Sequence, residues 1–548
     1  MTTTVFSSGT IVEASWLNAL DALRYGNGDE ARGAELLQFM ASASASAITM
    51  QAAMRSAVVT PEMYGAVGDF VTDDAAAINL ALAANRYVRL TGNYLIGSAL
   101  VPQDFTYLDA RGAKIKLKNG SNAHMFRVPN GVDDFTVEGG DWDGNKANQS
   151  SGGCGFTSAG AGTNLRGRLL NLTVHDCYSH NIGWNSAVLK YFVQVGLISY
   201  NSGASGIGSI ESQDRSVIGL SVAYDNATSN FGGSGITSRT AYAGIFGEGA
   251  GTADNLTSYG DGADFNTVAS FVSIGGANHG MHLSGDYNAF AAIAIDSPTQ
   301  YGLVSRTDTG GTVTYGLAMA AITVKSAGAS SFWIDNNDGF AGAALVSTSP
   351  AAHGLYLDTA NTNGHLSGAL KLAGGDNVRL QTATDIVVHV MSADAVSDAI
   401  QVTNSSTSVI SGRFTGSALG LNETGTSDNN LYVAISSTGN TSDTSILAND
   451  GSAVSANKLG GTSAITAAST LDLWDYTDYF VLSGATAVDN IEASWARRQI
   501  TIRSDGATTL NDGGNLRLSG NLSLTDNDCV ILQCDGTNWY QAAPTSAN

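Results

Sequence analysis

The stretch Tyr64-Gly65-Ala66-Val67-Gly68-Asp69-Phe70-Val71-Thr72-Asp73-Asp74-Ala75-Ala76-Ala77-Ile78, followed by Tyr87-Val88-Arg89-Leu90-Thr91-Gly92-Asn93-Tyr94-Leu95-Ile96, decides how this chain folds. Gly65 and Gly68 give the backbone the freedom for tight turns. Thr72-Asp73-Asp74 offers a capping side chain and two negative charges at the positive end of a helix, which should run from about Ala75. Ile78, Leu80, Leu82 and the alanines between them suit a short helix that plugs the end of a larger apolar core. Strands follow at once.

Outward from this stretch, composition describes a rod rather than a globule. The chain has 548 residues, 65 glycines, six prolines and 14% charged residues, as a solenoid of short strands and tight turns requires. A hydrophobic content of 43% argues against disorder. Marks of the form x-Gly-apolar recur at Gly196, Gly219, Gly280, Gly302 and Gly354. Steps of 23 (219−196), 22 (302−280) and 22 (399−377) give a unit of about 22. So thin a unit cannot bury its apolar face alone, and stacking is compulsory. Ten to twelve coils at about 4.8 Å each are expected.

The opening stretch resembles the motif of the pectate-lyase superfamily found in bacteriophage tailspikes, where Gly-Ala-x-Gly-Asp-Gly-x-x-Asp-Asp leads into a capping helix and a right-handed parallel β-helix. Phe70 stands where that pattern has glycine, so the turn after Asp69 must differ. The resemblance implies an all-β homotrimer: a short N-terminal helical segment, a parallel β-helix and a β-structured C-terminal domain. The boundaries expected are 1–60 for helical virion attachment and oligomerisation, 61–415 for the β-helix, 416–470 for a transition, and 471–548 for trimerisation. Within the first segment, Trp16, Leu17, Leu20 and Leu23 predict one helix, and Leu36, Met40, Ala43, Ala47, Met50, Met54 and Ala57 a heptad seam. The last segment reads as antiparallel strands with a turn at Asp535-Gly536-Thr537-Asn538, similar to the close of many tailspike chains.

A net charge of −22, from 48 acidic and 26 basic residues without a basic cluster, disfavours nucleic-acid and anionic-membrane binding. No signal peptide or membrane-length apolar run is present, so no membrane insertion is expected. Cys154, Cys177, Cys529 and Cys534 read as buried thiols, and neither a metal spacing nor a cofactor motif is found. The implied partners are further copies of the chain, a phage tail or baseplate protein through residues 1–60, and a bacterial surface polysaccharide. The chain would be made in the host cytoplasm and reside in the virion.

Tailspikes of this kind cleave host glycans by hydrolysis or by elimination. Hydrolysis requires two or three carboxylates facing one glycosidic bond. The candidates are Glu248, Asp261 and Asp264 in mid-rod, then Glu211 and Asp214 beside Arg215, which could grip an acidic sugar. Tyr224, Tyr242, Tyr259 and His282 are candidate substrate contacts. His279 and His282 should point to opposite faces of a strand. Asp141-Trp142-Asp143-Gly144-Asn145 resembles a structural turn of early coils, with Trp142 at the surface. His175-Asp176 reads as a loop between strands. Three functions stay open: a hydrolase, a lyase for which Lys190-Tyr191 and Arg215 offer a modest set, and a spike that binds without turnover.

Overall fold

The structure is a computed structural model. It describes residues 38–39, 48–49 and 58–546, apart from 210–211, 233–235, 259–263, 277, 307–312, 372, 439, 441, 446–452, 456–462, 472, 474–478 and 493–496. The two helices expected before residue 58 therefore lie almost wholly outside the described residues. Within the expected heptad, Gln38–Phe39 and Ile48–Thr49 are an antiparallel extended pair.

From Val59 the chain winds as a parallel β-solenoid of about 17 turns with very little helix. In one turn, Arg168–Leu170 and Thr173–His175 form part of a 23-stranded sheet, and Ile182–Trp184 and Ser186–Lys190 belong to two further sheets. The next turn begins at Val193, which pairs in register with Arg168 below it. Late turns keep a step of 22 residues, as between Ala383 and Ser405 and between Ser408 and Asn430. Val387, Val409 and Leu431 accordingly stand in one column. Early turns are unequal: Tyr87 registers with Tyr107, a step of 20 (107−87), whereas Asp134 meets Arg166 across a separation of 32 residues. The count exceeds the expected ten to twelve coils because the early turns lack the x-Gly-apolar mark and the late ones run on past residue 415.

The opening stretch forms the expected helix, but its N-cap Asp74 makes no side-chain cap bond to the helix and turns back to the preceding loop instead. The helix α1 (Ala75–Ala84) buries Ala75, Ile78, Ala81 and Leu82 against the first strands. Leu80, two residues from Ile78 and so near the opposite helix face, is 57% exposed rather than part of the plug. Asp69 accepts the Val71 and Thr72 amides, Asp73 those of Ala75 and Gly97, and Asp74 those of Val67 and Gly68. All three acids are thus committed to backbone.

Inside the rod, Phe126, Phe135, Trp142, Phe156, Trp184 and Phe192 pack ring against ring. Trp142 is fully buried, which corrects the surface position expected for it. Turns are closed by a buried amide ladder: Asn226 donates to Asn230, Asn230 to Asn255, and Asn255 to Ser273 and the Gly275 carbonyl. Each ladder rung replaces the water that buried backbone groups would otherwise lose.

Coil stacking runs on through the segment expected as a transition, since Leu431 registers with Ala453 and both Leu421 and Tyr432 lie in the core. A second core spans Ala467 to Trp539. Its strands are mixed rather than purely antiparallel. Ser463–Thr466, Tyr479–Ser483 and Gln499–Asp505 stack in parallel, and Cys529–Cys534 and Trp539–Ser546 close them in antiparallel. Asp535 accepts the Thr537 and Asn538 amides, which hold its carboxyl down to about 2. Of the four free cysteines three are buried and Cys529 is half-buried.

Candidate functional site

Outward side chains on successive coils stand one above another about 4.8 Å apart, so function must be sought in columns rather than in sequence neighbours. Glu248 ends the strand Ala241–Glu248 and registers with Ile274, the last residue of Thr267–Ile274. Asp264 precedes the first residue of that strand and accepts the Asp286 amide. The two acids thus sit at opposite ends of seven strand steps, on the order of 20 Å along the chain. They cannot flank one bond. Asp261, Tyr259 and Glu211 lie outside the described residues.

Asp214 is held between Arg215 (2.8 Å) and Arg239 (2.7 Å) and is 6% exposed, a neutralised structural carboxylate. The Arg215 guanidinium also lies 5.9 Å from the Tyr191 ring centre. Tyr242 registers with Ile218 and Val268 in the core row, so its ring fills the rod interior and not a groove. His282 and His279 are both buried and meet edge to face at 5.4 Å, against the expectation of opposite faces, because His279 precedes the strand Met281–Leu283. His282 Nδ1 lies 3.4 Å from Asp254, and the His279 amide donates to the same carboxylate. Burial pushes His279 down to about 4. Burial alone would raise Asp254, but its contacts with His282 and His279 outweigh that and lower it.

The constellation that the structure does assemble lies lower on the rod. The strand Asp141–Asp143 pairs with Lys114–Leu117 on one side and Thr173–His175 on the other. Strand alternation sends Trp142 inward and turns Asp141 and Asp143 outward together. Lys116 Nζ lies 2.7 Å from Asp143, whose other oxygen accepts the Asn145 amide at 2.7 Å. His175 has a carboxylate at each ring nitrogen, Asp141 at 3.0 Å from Nε2 and Asp176 at 2.7 Å from Nδ1. Asp176 also takes the Asn201 amide, and Lys146 Nζ donates to Asn201. Lys114, one coil below Asp141 and exposed, makes no ion pair among the described residues.

These side chains open on a pocket of about 320 Å³ lined by Phe70, Lys114, Ile115, Lys116, Asp141, Asp143 and His175. Above it runs an aromatic ladder. The His175 ring lies parallel to Tyr200 at 4.7 Å, and Tyr200 to Tyr224 at 5.1 Å. The register continues from Tyr224 to Glu248. The column therefore reads Lys116, Asp143, His175, Tyr200, Tyr224, Glu248, about 24 Å of one groove. Partial burial, and then the nearby charges of Asp141, Asp176 and Asp143 together with Tyr224, push the Tyr200 phenol up. Asp143, His175 and Asp176 offer three ligand atoms within 4.8 Å of one another, yet Lys116, Asn145 and Asn201 already occupy the two carboxylates. A larger concavity of about 470 Å³, paved by Ala291, Ala320 and Ala343, is lined by no carboxylate, Lys or Arg among the described residues.

Two of the sequence candidates, Tyr224 and Glu248, thus share the groove with residues whose sequence reads as a turn and a loop. The turn reading of Asp143 holds for one of its oxygens only. Lys116 and Asp143 are 27 residues apart, and the step from Asp143 to His175 is longer still, so the period of the later coils conceals this column. The legible signal is the Asp-x-Asp spacing, which puts both acids on one face.

No protein-family model matches the sequence, and no curated protein matches it. Among solved structures, ORF18 of Geobacillus virus E2 is 16% identical over 55% of this chain, with a TM-score of 0.41. The match takes in 61% of that chain, less than two thirds of its length. Tailspike protein 3 of bacteriophage CBA120 is 12% identical over 83% of this chain and 70% of its own, with a TM-score of 0.40. The A-module of the Azotobacter vinelandii mannuronan C-5 epimerase AlgE6 is 16% identical over 73% of this chain and all of its own, with a TM-score of 0.33. At these values no residue's role passes from those proteins to this one.

Proposed function

We propose that this protein is a phage tailspike that binds a bacterial surface polysaccharide along the Lys116-to-Glu248 column and cleaves it in the pocket at Asp141 and Asp143. The observation that carries the reading is one strand presenting two carboxylates to one side, each against a different cationic or imidazole partner. Their Cα atoms stand roughly 6–7 Å apart on one face, which lets both carboxyl groups reach one glycosidic bond. Asp143, paired with Lys116, acts as a base that takes a proton from water or as a nucleophile. Asp141, bonded to His175, delivers a proton to the departing sugar oxygen and regains one from solvent, which balances the proton that Asp143 takes from water and later releases. Tyr200 and Tyr224 stack on the apolar faces of sugar units bound above.

A second reading, elimination from a uronate, is favoured by Lys114, whose charge has no partner among the described residues and opens on the pocket. Digestion of capsular and lipopolysaccharide glycans by the purified protein separates the two readings. Hydrolysis leaves saturated ends, whereas elimination leaves an unsaturated, ultraviolet-absorbing end. Glycan that binds and stays intact makes the protein a non-enzymatic spike. Homotrimer formation and virion attachment through residues 1–60 belong to the same proposal. Light scattering at twice or once the chain mass rather than three times would remove the trimer.

A further inference from the structure

Phe70 holds a large side chain in a backbone conformation that glycine adopts more readily. Its φ is +60°, in the left-handed region that bulky L-residues avoid. Its side chain is not stored in the core either, being 36% exposed. Asp69 fixes this conformation by accepting the Val71 and Thr72 amides that follow it in the turn. A glycine would take the same backbone path without strain.

The surrounding register shows where the ring is sent. Asp69 pairs with Asn93 and Asp73 with Leu95, so four steps on this strand oppose two on its neighbour. The extra residues bulge outward, as such insertions re-aim a side chain. Asn93 and Leu95 register in turn with Lys114 and Lys116, and those with Asp141 and Asp143. Phe70 leans across this column and becomes a wall of the pocket that holds both lysines, both acids and His175. Phe105, Tyr191, Phe265 and Tyr287 are exposed aromatics in the same left-handed conformation, and what sets Phe70 apart is the pocket of paired acids and lysines that its ring walls.

We propose that Phe70 and Lys114 form a subsite for a single acidic pyranose, whose apolar ring face lies on Phe70 and whose carboxylate meets Lys114. The aromatic wall supplies a flat apolar face next to an otherwise polar pocket, the pairing that C–H-rich sugar faces require. Lys114 supplies a charge of the right sign in a protein whose net charge is −22 and would otherwise repel such a sugar. The subsite deepens the function proposed above and rests on it for the identity of the chain that passes through.

Saturation-transfer NMR on the full chain, with methyl β-glucuronide and methyl β-glucoside as probes, tests the subsite directly. The expected result is transfer to the glucuronide ring protons, cut roughly three- to ten-fold in Phe70→Gly and restored in Phe70→Trp. Lys114→Ala should make the two sugars equivalent. Melting of Phe70→Gly at or above the wild-type temperature shows that the ring is not structural. The proposal is overturned by undiminished transfer in Phe70→Gly, by no transfer to the wild type, or by a Phe70→Gly protein that melts well below it. Depolymerisation measured in parallel separates the two proposals. Inactive Asp141→Asn and Asp143→Asn with unaltered sugar transfer in Phe70→Gly removes the subsite alone, and fully active Asp141→Asn and Asp143→Asn removes the reaction centre alone.

Discussion

Asp141 and Asp143 show how much a single strand residue depends on its neighbours in space. In the sequence they are two acids around a tryptophan, close to a turn. In the rod one lies against His175 and the other against Lys116. Asp143→Asn and Asp141→Asn should each lower kcat by about 10²–10⁴ with little change in melting temperature, as measured by release of reducing ends. Lys116→Met should lower kcat as well, because the Asp143 carboxylate loses its counter-charge. Asp214→Asn should behave oppositely and leave turnover intact. It strands Arg215 and Arg239 without a partner, a matter of stability rather than chemistry. Residue types alone could not separate these acids, because all are aspartates beside basic or aromatic residues. What distinguishes them is the register, and the register depends on turn lengths that are unequal in the first coils, where Tyr87 meets Tyr107 but Thr136 meets Arg168.

At the scale of elements, the helix and strands after Tyr64 were legible because each local signal serves one purpose. Asp69, Asp73 and Asp74 all close turns, and Ala75 to Ala84 is helical. Late coils were legible through their constant step, and early coils were not. The turns that close mid-rod coils carry their own prediction. Asn255→Ala would remove one of the two bonds that the Asn230 side-chain amide donates and leave the Gly275 carbonyl without its partner, at about 1–3 kcal/mol each. A loss of melting temperature with unaltered cleavage at permissive temperature is the expected outcome. His279 gives a pH dependence to the same region. Its folded value of about 4 lies below the ordinary 6.5, so the neutral ring is favoured by folding. Between pH 6.5 and 4 the unfolded chain binds a proton that the folded one refuses, and stability falls as pH drops through that window. Above 6.5 the contribution is complete. His279→Gln should flatten this part of the curve, read as melting temperature against pH.

The whole molecule is an elongated solenoid with two cores, one from Val59 to Tyr432 and another from Ala467 to Trp539. Two separate cores predict two transitions in calorimetry, with the smaller unit melting apart from the rod. A single transition would mean that the units are energetically coupled. The rod's length is also its functional argument. A column of about 24 Å from Lys116 to Glu248 suits an extended chain of sugars better than a small metabolite. Tyr200→Ala and Tyr224→Ala should therefore raise KM for long oligosaccharides by about three- to ten-fold and leave short ones unaffected.

The central claim is that paired acids on one early strand cleave a polysaccharide. Purified wild-type protein and Asp143→Asn, incubated side by side with surface glycans from a panel of bacteria, test it most directly by the size of the products. The account predicts at least one glycan cut to oligosaccharides by the wild type, and the same glycan bound but left at full length by Asp143→Asn. Equal cleavage by both proteins, or binding without cleavage by the wild type across the panel, would contradict it.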